Sequence, residues 1–324
     1  MSSVDYSLFA KERLRLDQIQ NEHYDVFLSS FNDSERVNTL YGLVDAASKI
    51  WLVHPEYEYA KDGLPTSGNV FHSPADLSAI EFWQTFFDWL VVPDKLENLR
   101  VAVDITGMMR PHLMLLPLML KIYGIDRATF FYSDPMTYSS GDRTKFSKGP
   151  VEGVALIPGM EGAHGSGTDT RDVLIIGAGY DHQLVIAAAE DKRSADHYLL
   201  MGLPSLQPHM YQESILRLSK ASESIRDYRS RTMLFAPAND PFMTAQVLSD
   251  HISRLKLEGK ADNIYLSPVG AKTQVLGFSW YFLCEARHTS TSMMFPHNKY
   301  YERETSRGIS SIHKFIMELD MIID

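Results

Sequence analysis

Short apolar runs of four or five residues recur along the chain, each closed by a polar, Gly or Pro loop and followed by a stretch with helical spacing. Asp25-Val-Phe-Leu-Ser29 stops at Ser30-Phe-Asn-Asp-Ser34, a strand followed by a helix-capping loop. Val37 to Ala47 reads as a helix, Lys49 to Val53 as a second strand stopped by His54-Pro55, and Val70-Phe71 as a third. The spacing of Ile80, Phe82, Trp83, Phe86, Phe87 and Leu90 predicts a helix over about 77–90. Arg100 to Val103 is a fourth strand ending at Asp104-Ile-Thr-Gly107. A helix follows from about Arg110 to Tyr123, then a fifth strand from Ala128 to Tyr132. The pattern restarts at Asp172, with strands at Val173–Ile176, His197–Met201, Thr232–Phe235, Ile264–Leu266 and Ser292–Phe295. Helices fall at Leu184–Ala189, Met243–Leu257 and Thr273–Glu285. The strands lack two-residue alternation, as expected where both faces are buried. Strands alternating with helices predict an α/β protein of two tandem Rossmann-like halves with mainly parallel sheets.

The two series match in order and spacing. Pro74 and Pro237, Gly107 and Gly270, and Phe130 and Met293 are each 163 positions apart. Asp25 and Asp172 pair at 147, and Pro55 and Pro204 at 149, so insertions accumulate between the strands. Internal duplication explains the match in order and spacing. The expected organisation is a polar lead-in helix or arm over 1–22, a first half over 23–138, a connection over 139–171 and a second half over 172–324. The connection carries Ser139-Ser-Gly141 and Gly162-Ala-His-Gly-Ser-Gly167, and Val151 to Ile157 can add a strand.

At 324 residues, 44% hydrophobic and 22% charged, the chain can bury two cores. Its net charge of -10 makes duplex DNA an unlikely partner, because that binding neutralises phosphates. One cysteine, Cys284, excludes a disulfide within the chain and suits a buried small hydrophobe. The start lacks a signal-peptide pattern, and no run reaches the roughly 18 apolar residues of a membrane span. The expectation is a cytoplasmic protein without a membrane role.

Ligands of open parallel sheets bind beyond the carboxyl ends of the strands, beside helix N-termini that favour anions. The strand-exit loops therefore hold the candidates. In the first half they carry Ser29, Ser30, Glu35, Arg36, Asp104, Thr106, Gly107 and Arg110, along with His54 and Glu56. In the second they carry Gly177, Gly179, Asp181, Gly270, Lys272, Thr273 and Gln274. Gly107 to Arg110 and Gly270 to Lys272 occupy equivalent places. Each joins a flexible turn, a cation and a helix start, a combination that suits phosphate or ribose. Glu35, Asp104 and Asp181 are the candidate acids or bases. Gly177-Ala-Gly-Tyr-Asp-His182 has His182 where a dinucleotide fingerprint needs its third glycine, so no NAD or other cofactor is expected. His54, His182 and His297 lack metal-ligand spacing, and no metal is expected.

Val103-Asp-Ile-Thr-Gly107 and Leu266-Ser-Pro-Val-Gly270-Ala-Lys-Thr273, each before a helix, resemble the strand-4 motif of CRISPR-associated Rossmann fold (CARF) sensor domains. Two such units in one chain resemble SAVED domains, which sense cyclic oligonucleotides in antiviral systems. Met108 and Met109 depart from the motif and leave Arg110 as the first half's cation. The resemblance implies a nucleotide-derived second messenger, bound across a pseudo-twofold cleft. Arg110 and Lys272 would lie on phosphates, with Ser29, Ser30, Gly177 and Gly179 on the other side. It further implies signalling through a protein partner or through homo-oligomerisation. Two alternatives stay open on the residues: an enzyme acting on a nucleotide or nucleoside, and a non-catalytic subunit of a multi-protein assembly.

Overall fold

The computed structural model describes residues 4–66, 68–74, 77–90, 99–138, 147–165, 167, 170–207, 210–219, 224–225, 232–303 and 306–323. The Ser139–Gly141 stretch of the expected connection lies outside them. In chain order the elements of the first part are β1 (Lys11–Leu14), β2 (His23–Ser30), α1 (Glu35–Leu43), β3 (Asp45–Val53), β4 (Asn69–His72) and α2 (Ala79–Trp89). They continue with β5 (Val101–Asp104), α3 (Arg110–Ile122), β6 (Arg127–Asp134) and β7 (Thr137–Tyr138). Next come β8 (Ser147–Leu156), β9 (Asp172–Gly177), α4 (His182–Asp191), β10 (Asp196–Gly202), α5 (Met210–Leu218), β11 (Met233–Ala236) and α6 (Pro241–Leu257). The last are β12 (Asn263–Pro268), α7 (Lys272–Tyr281), β13 (Thr291–Tyr301), β14 (Ser306–Arg307) and β15 (Ser311–Glu318).

The chain divides into two compact units. One comprises residues 9–146 and 300–321, the other residues 147–299 with both termini. The first unit's sheet runs β1-β15-β6-β5-β2-β3-β4, and the second's runs β11-β10-β9-β12-β13-β8. In each, the five repeat strands take the order third, second, first, fourth, fifth. β2 lies parallel to both β3 and β5, and β9 lies parallel to both β10 and β12. These are two α/β, Rossmann-like halves. The strands paired by the 163-residue offset occupy equivalent positions, β4 with β11, β5 with β12 and β6 with β13.

Burial follows the apolar pattern. In the first unit Phe82, Trp83 and Phe86 of α2 are wholly buried, and the Trp83 indole donates to the His112 carbonyl of α3 at 2.8 Å. Each such ring contributes about 1.5–3 kcal/mol. Ser78 and Glu81 form a reciprocal capping box that sets the start of α2, worth about 1 kcal/mol. Residues Leu113 to Leu120 of α3 are all buried, which matches an almost continuous apolar run. In the second unit Asp240 caps α6 by accepting from the Phe242 and Met243 amides. There α6 approaches α7 so closely that a methyl on Gly277 would meet the Pro241 carbonyl oxygen at 2.4 Å.

Several boundaries differ from those expected. The lead-in is an arm rather than one helix: between 3-10 turns at Tyr6–Leu8 and Leu16–Asn21, Lys11–Leu14 pairs antiparallel with β15, and its charges suit an exposed edge. The helix expected over Val37–Ala47 ends at Leu43, because Asp45 and Ala46 pair with His23 and Tyr24. Residues 147–156 of the expected connection form a strand of the second sheet. The second half does not keep residues 172–324 to itself, since Ser311–Glu318 pairs antiparallel with β6 in the first sheet. The helix over Thr273–Glu285 closes in a π turn at Phe282–Ala286, and the strand begun near Ser292 extends to Tyr301.

Candidate functional site

In the first unit the exits of β2 and β5 meet where the strand order reverses. Ser29 and Asp104 are register partners with no exposed surface, and the Ser29 hydroxyl donates to Asp104 Oδ2 at 3.0 Å. The other oxygen, Oδ1, accepts the Thr106 amide at 2.9 Å, so Asp104 shapes the turn after its strand. The Thr106 hydroxyl accepts the Ser133 amide at 3.0 Å, tying this turn to β6. Ser30 Oγ lies 2.9 Å from His54 Nε2. Gly107 is required here: a methyl on it would lie 2.2 Å from the Ser30 carbonyl oxygen. Its own carbonyl accepts the Tyr57 hydroxyl at 2.8 Å. Burial pushes that phenol up to about 12.

Two cations stand near this end. Arg110 is half-buried as the first residue of α3. Arg36, in the first turn of α1, is 6% exposed and donates to the Ser133 carbonyl oxygen, with its guanidinium 5.9 Å from the Tyr138 ring centre. Its pKa is raised: burial opposes the charge, but the surrounding tyrosine oxygens and Asp104 outweigh it. Glu35 is exposed and accepts the Gly308 amide at 3.0 Å. Ser29, Ser30, Asp104, Thr106 and Gly107 are thus brought together, while Glu35 faces the returning C-terminal segment.

In the second unit the equivalent turns pack backbone to backbone. A methyl on Gly179 would lie 2.9 Å from Gly270 Cα, and one on Gly177 would lie 3.0 Å from the Phe278 ring. Gly179 permits loop-on-loop contact, and Gly177 permits the close approach of α7. Lys272 begins α7 half-buried, and Thr273, wholly buried, donates to the Ala238 carbonyl oxygen. Asp181 accepts from the Ser147 hydroxyl of β8. Gly177, Gly179, Gly270, Lys272 and Thr273 therefore share one end of this sheet. Of the three candidate carboxylates, Asp104 is a buried turn former and Glu35 accepts the Gly308 amide, both in the first unit, while Asp181 accepts the Ser147 hydroxyl in the second.

Sequence reasoning missed several groups. Tyr57 closes the first switch point, and His112 places its ring 4.8 Å from that of His54. Burial also holds the Glu56 carboxyl above its ordinary range. His313 Nε2 lies 2.6 Å from Asp134 Oδ2, both residues more than nine-tenths buried. Only the loop position of His54 and Glu56 signalled this side of the site. Among the described residues no group of three or more His, Cys, Asp or Glu side chains is placed to hold a metal ion. No described helix is long and apolar enough to cross a membrane. No family model matches the chain, and no curated protein matches its sequence.

Proposed function

We propose that the chain is a ligand-sensing module for a nucleotide-derived second messenger, in keeping with its CARF- and SAVED-like motifs and with a role in bacterial antiviral defence. The observation that carries this reading is a repeated one. In each half the helix after the fourth strand starts with a cation, Arg110 or Lys272, just past a glycine turn beside the point where the strand order reverses. Helix N-termini attract anions through their free amides and dipole, and ligands of such sheets gather at the reversal. A phosphate at each helix start uses both features.

Binding to the native state alone raises stability, by about 2.7 kcal/mol at a hundredfold excess over Kd. Thermal unfolding with a panel of cyclic and linear nucleotides is therefore expected to show a rise of roughly 5–10 °C for the cognate class. A panel without any shift removes the proposal. Turnover of a nucleotide that disappears in Asp104→Asn would favour an enzyme instead.

A further inference from the structure

Gln274 is the third residue of α7 and only 1% exposed. Its side-chain Nε2 is enclosed and has no hydrogen-bond partner among the described residues. The amide lies between two turns. A methyl on Gly270 would sit 3.0 Å from Gln274 Oε1, and one on Gly202 would sit 3.8 Å from Nε2. Those turns are the exits of β12 and β10, which flank β9 in the sheet. The neighbouring Thr273 hydroxyl is already engaged by the Ala238 carbonyl oxygen. An amide N–H buried without an acceptor costs about 1–3 kcal/mol, and here it stands at the positive end of a ten-residue helix.

We infer that Gln274 is a specificity-determining residue of the second half, its amide donating to a phosphoryl oxygen of a ligand seated at the start of α7. The inference rests on the nucleotide reading above and names the group that the second half recognises. A phosphoryl oxygen supplies the acceptor that Nε2 lacks, and its negative charge suits the helix end. The first half differs at the same helix position. There His112 is buried against His54, so the two halves carry different side chains at the third position of this helix.

The test uses inorganic pyrophosphate and cyclic diadenylate as probes, titrated against the full chain and the variants Gln274→Met and Gln274→Glu. Gln274→Met keeps the volume and removes the donor, and affinity is expected to fall about tenfold. Gln274→Glu sets a carboxylate against the phosphate and is expected to weaken binding further. Because Nε2 has no partner among the described residues, the ligand-free Gln274→Met chain is expected to unfold at the wild-type temperature or above. Its ligand-free unfolding well below that temperature gives the amide a structural role and overturns the inference. Unchanged binding in both variants overturns the assignment of Gln274 and leaves the nucleotide reading standing. If neither the probes nor any nucleotide of the panel binds the wild-type chain, both fall.

Discussion

Replacing Gly107 by alanine places a methyl carbon 2.2 Å from the Ser30 carbonyl oxygen and 3.0 Å from Asn32 Nδ2. Ordinary contact begins at 3.4 Å, so one of the two loops must retreat by 3.4 less 2.2, or 1.2 Å. Neither loop is free to do so. Ser30 is paired with Leu52 on β3, and the residue before it with Asp104 on β5. Overpacking of this kind costs about 1–3 kcal/mol. The displaced Gly107 carbonyl also gives up the Tyr57 hydroxyl, about 1 kcal/mol more. The expected loss is about 2–4 kcal/mol, a fall in Tm of roughly 5–15 °C. Gly42→Ala is the control, because a methyl there meets nothing within 4 Å and lies on α1. That change is expected to be neutral or to stabilise by up to about 1 kcal/mol. Urea unfolding followed by circular dichroism compares the two. A Gly107→Ala chain as stable as Gly42→Ala refutes the packing argument at the switch point.

Three further outcomes are expected. Burial, and then the neighbouring Arg254, pushes the His251 imidazole down to about 4, against an ordinary value of about 6.5. The folded chain thus takes this proton less readily than the unfolded one. Its stability is full above about pH 6.5 and falls as pH drops toward 4, by about 2 kcal/mol between about pH 7.5 and about pH 5. His251→Phe is expected to reduce that slope in urea titrations. Deleting residues 306–324 removes β15, which pairs with both β6 and β1. The first unit is then expected to lose protection from hydrogen exchange while the second sheet's β9, β10 and β12 keep theirs. Gly277→Ala drives a methyl to 2.4 Å from the Pro241 carbonyl oxygen, and calorimetry is expected to show a loss of about 1–3 kcal/mol.

The five repeat strands of each half, in their succession along the chain, were legible because their buried runs are apolar and their exit loops are marked by Gly, Pro or Asp. The constant offset between Val101–Gly107 and Ile264–Gly270 located the fourth strand of both sheets. The returning strand β15 was not legible, since its sequence carries His313 and Lys314 at buried positions. Those polar groups are accommodated by distant partners, Asp134 for the histidine and Glu22 for the lysine. Lys11–Leu14 misled for a related reason: a charged edge strand looks like a solvated helix until its partner is known. At the site, composition identified the glycines but not their use. Gly107, Gly179 and Gly270 read as ligand turns, whereas each also sits where a side chain would strike a neighbouring loop. Gln274 read as a strand-exit residue, but nothing local marked its burial; Tyr57 gave no local signal, because its importance comes from the strand exits brought beside it.

Equilibrium binding of the cognate nucleotide to the chain and to Arg110→Ala and Lys272→Ala tests the central claim most directly. Loss of one charge-assisted contact is worth about 1.5–3 kcal/mol, so each variant is expected to bind about 10- to 100-fold more weakly, with its fold intact by circular dichroism. Wild-type affinity in both variants would contradict the account.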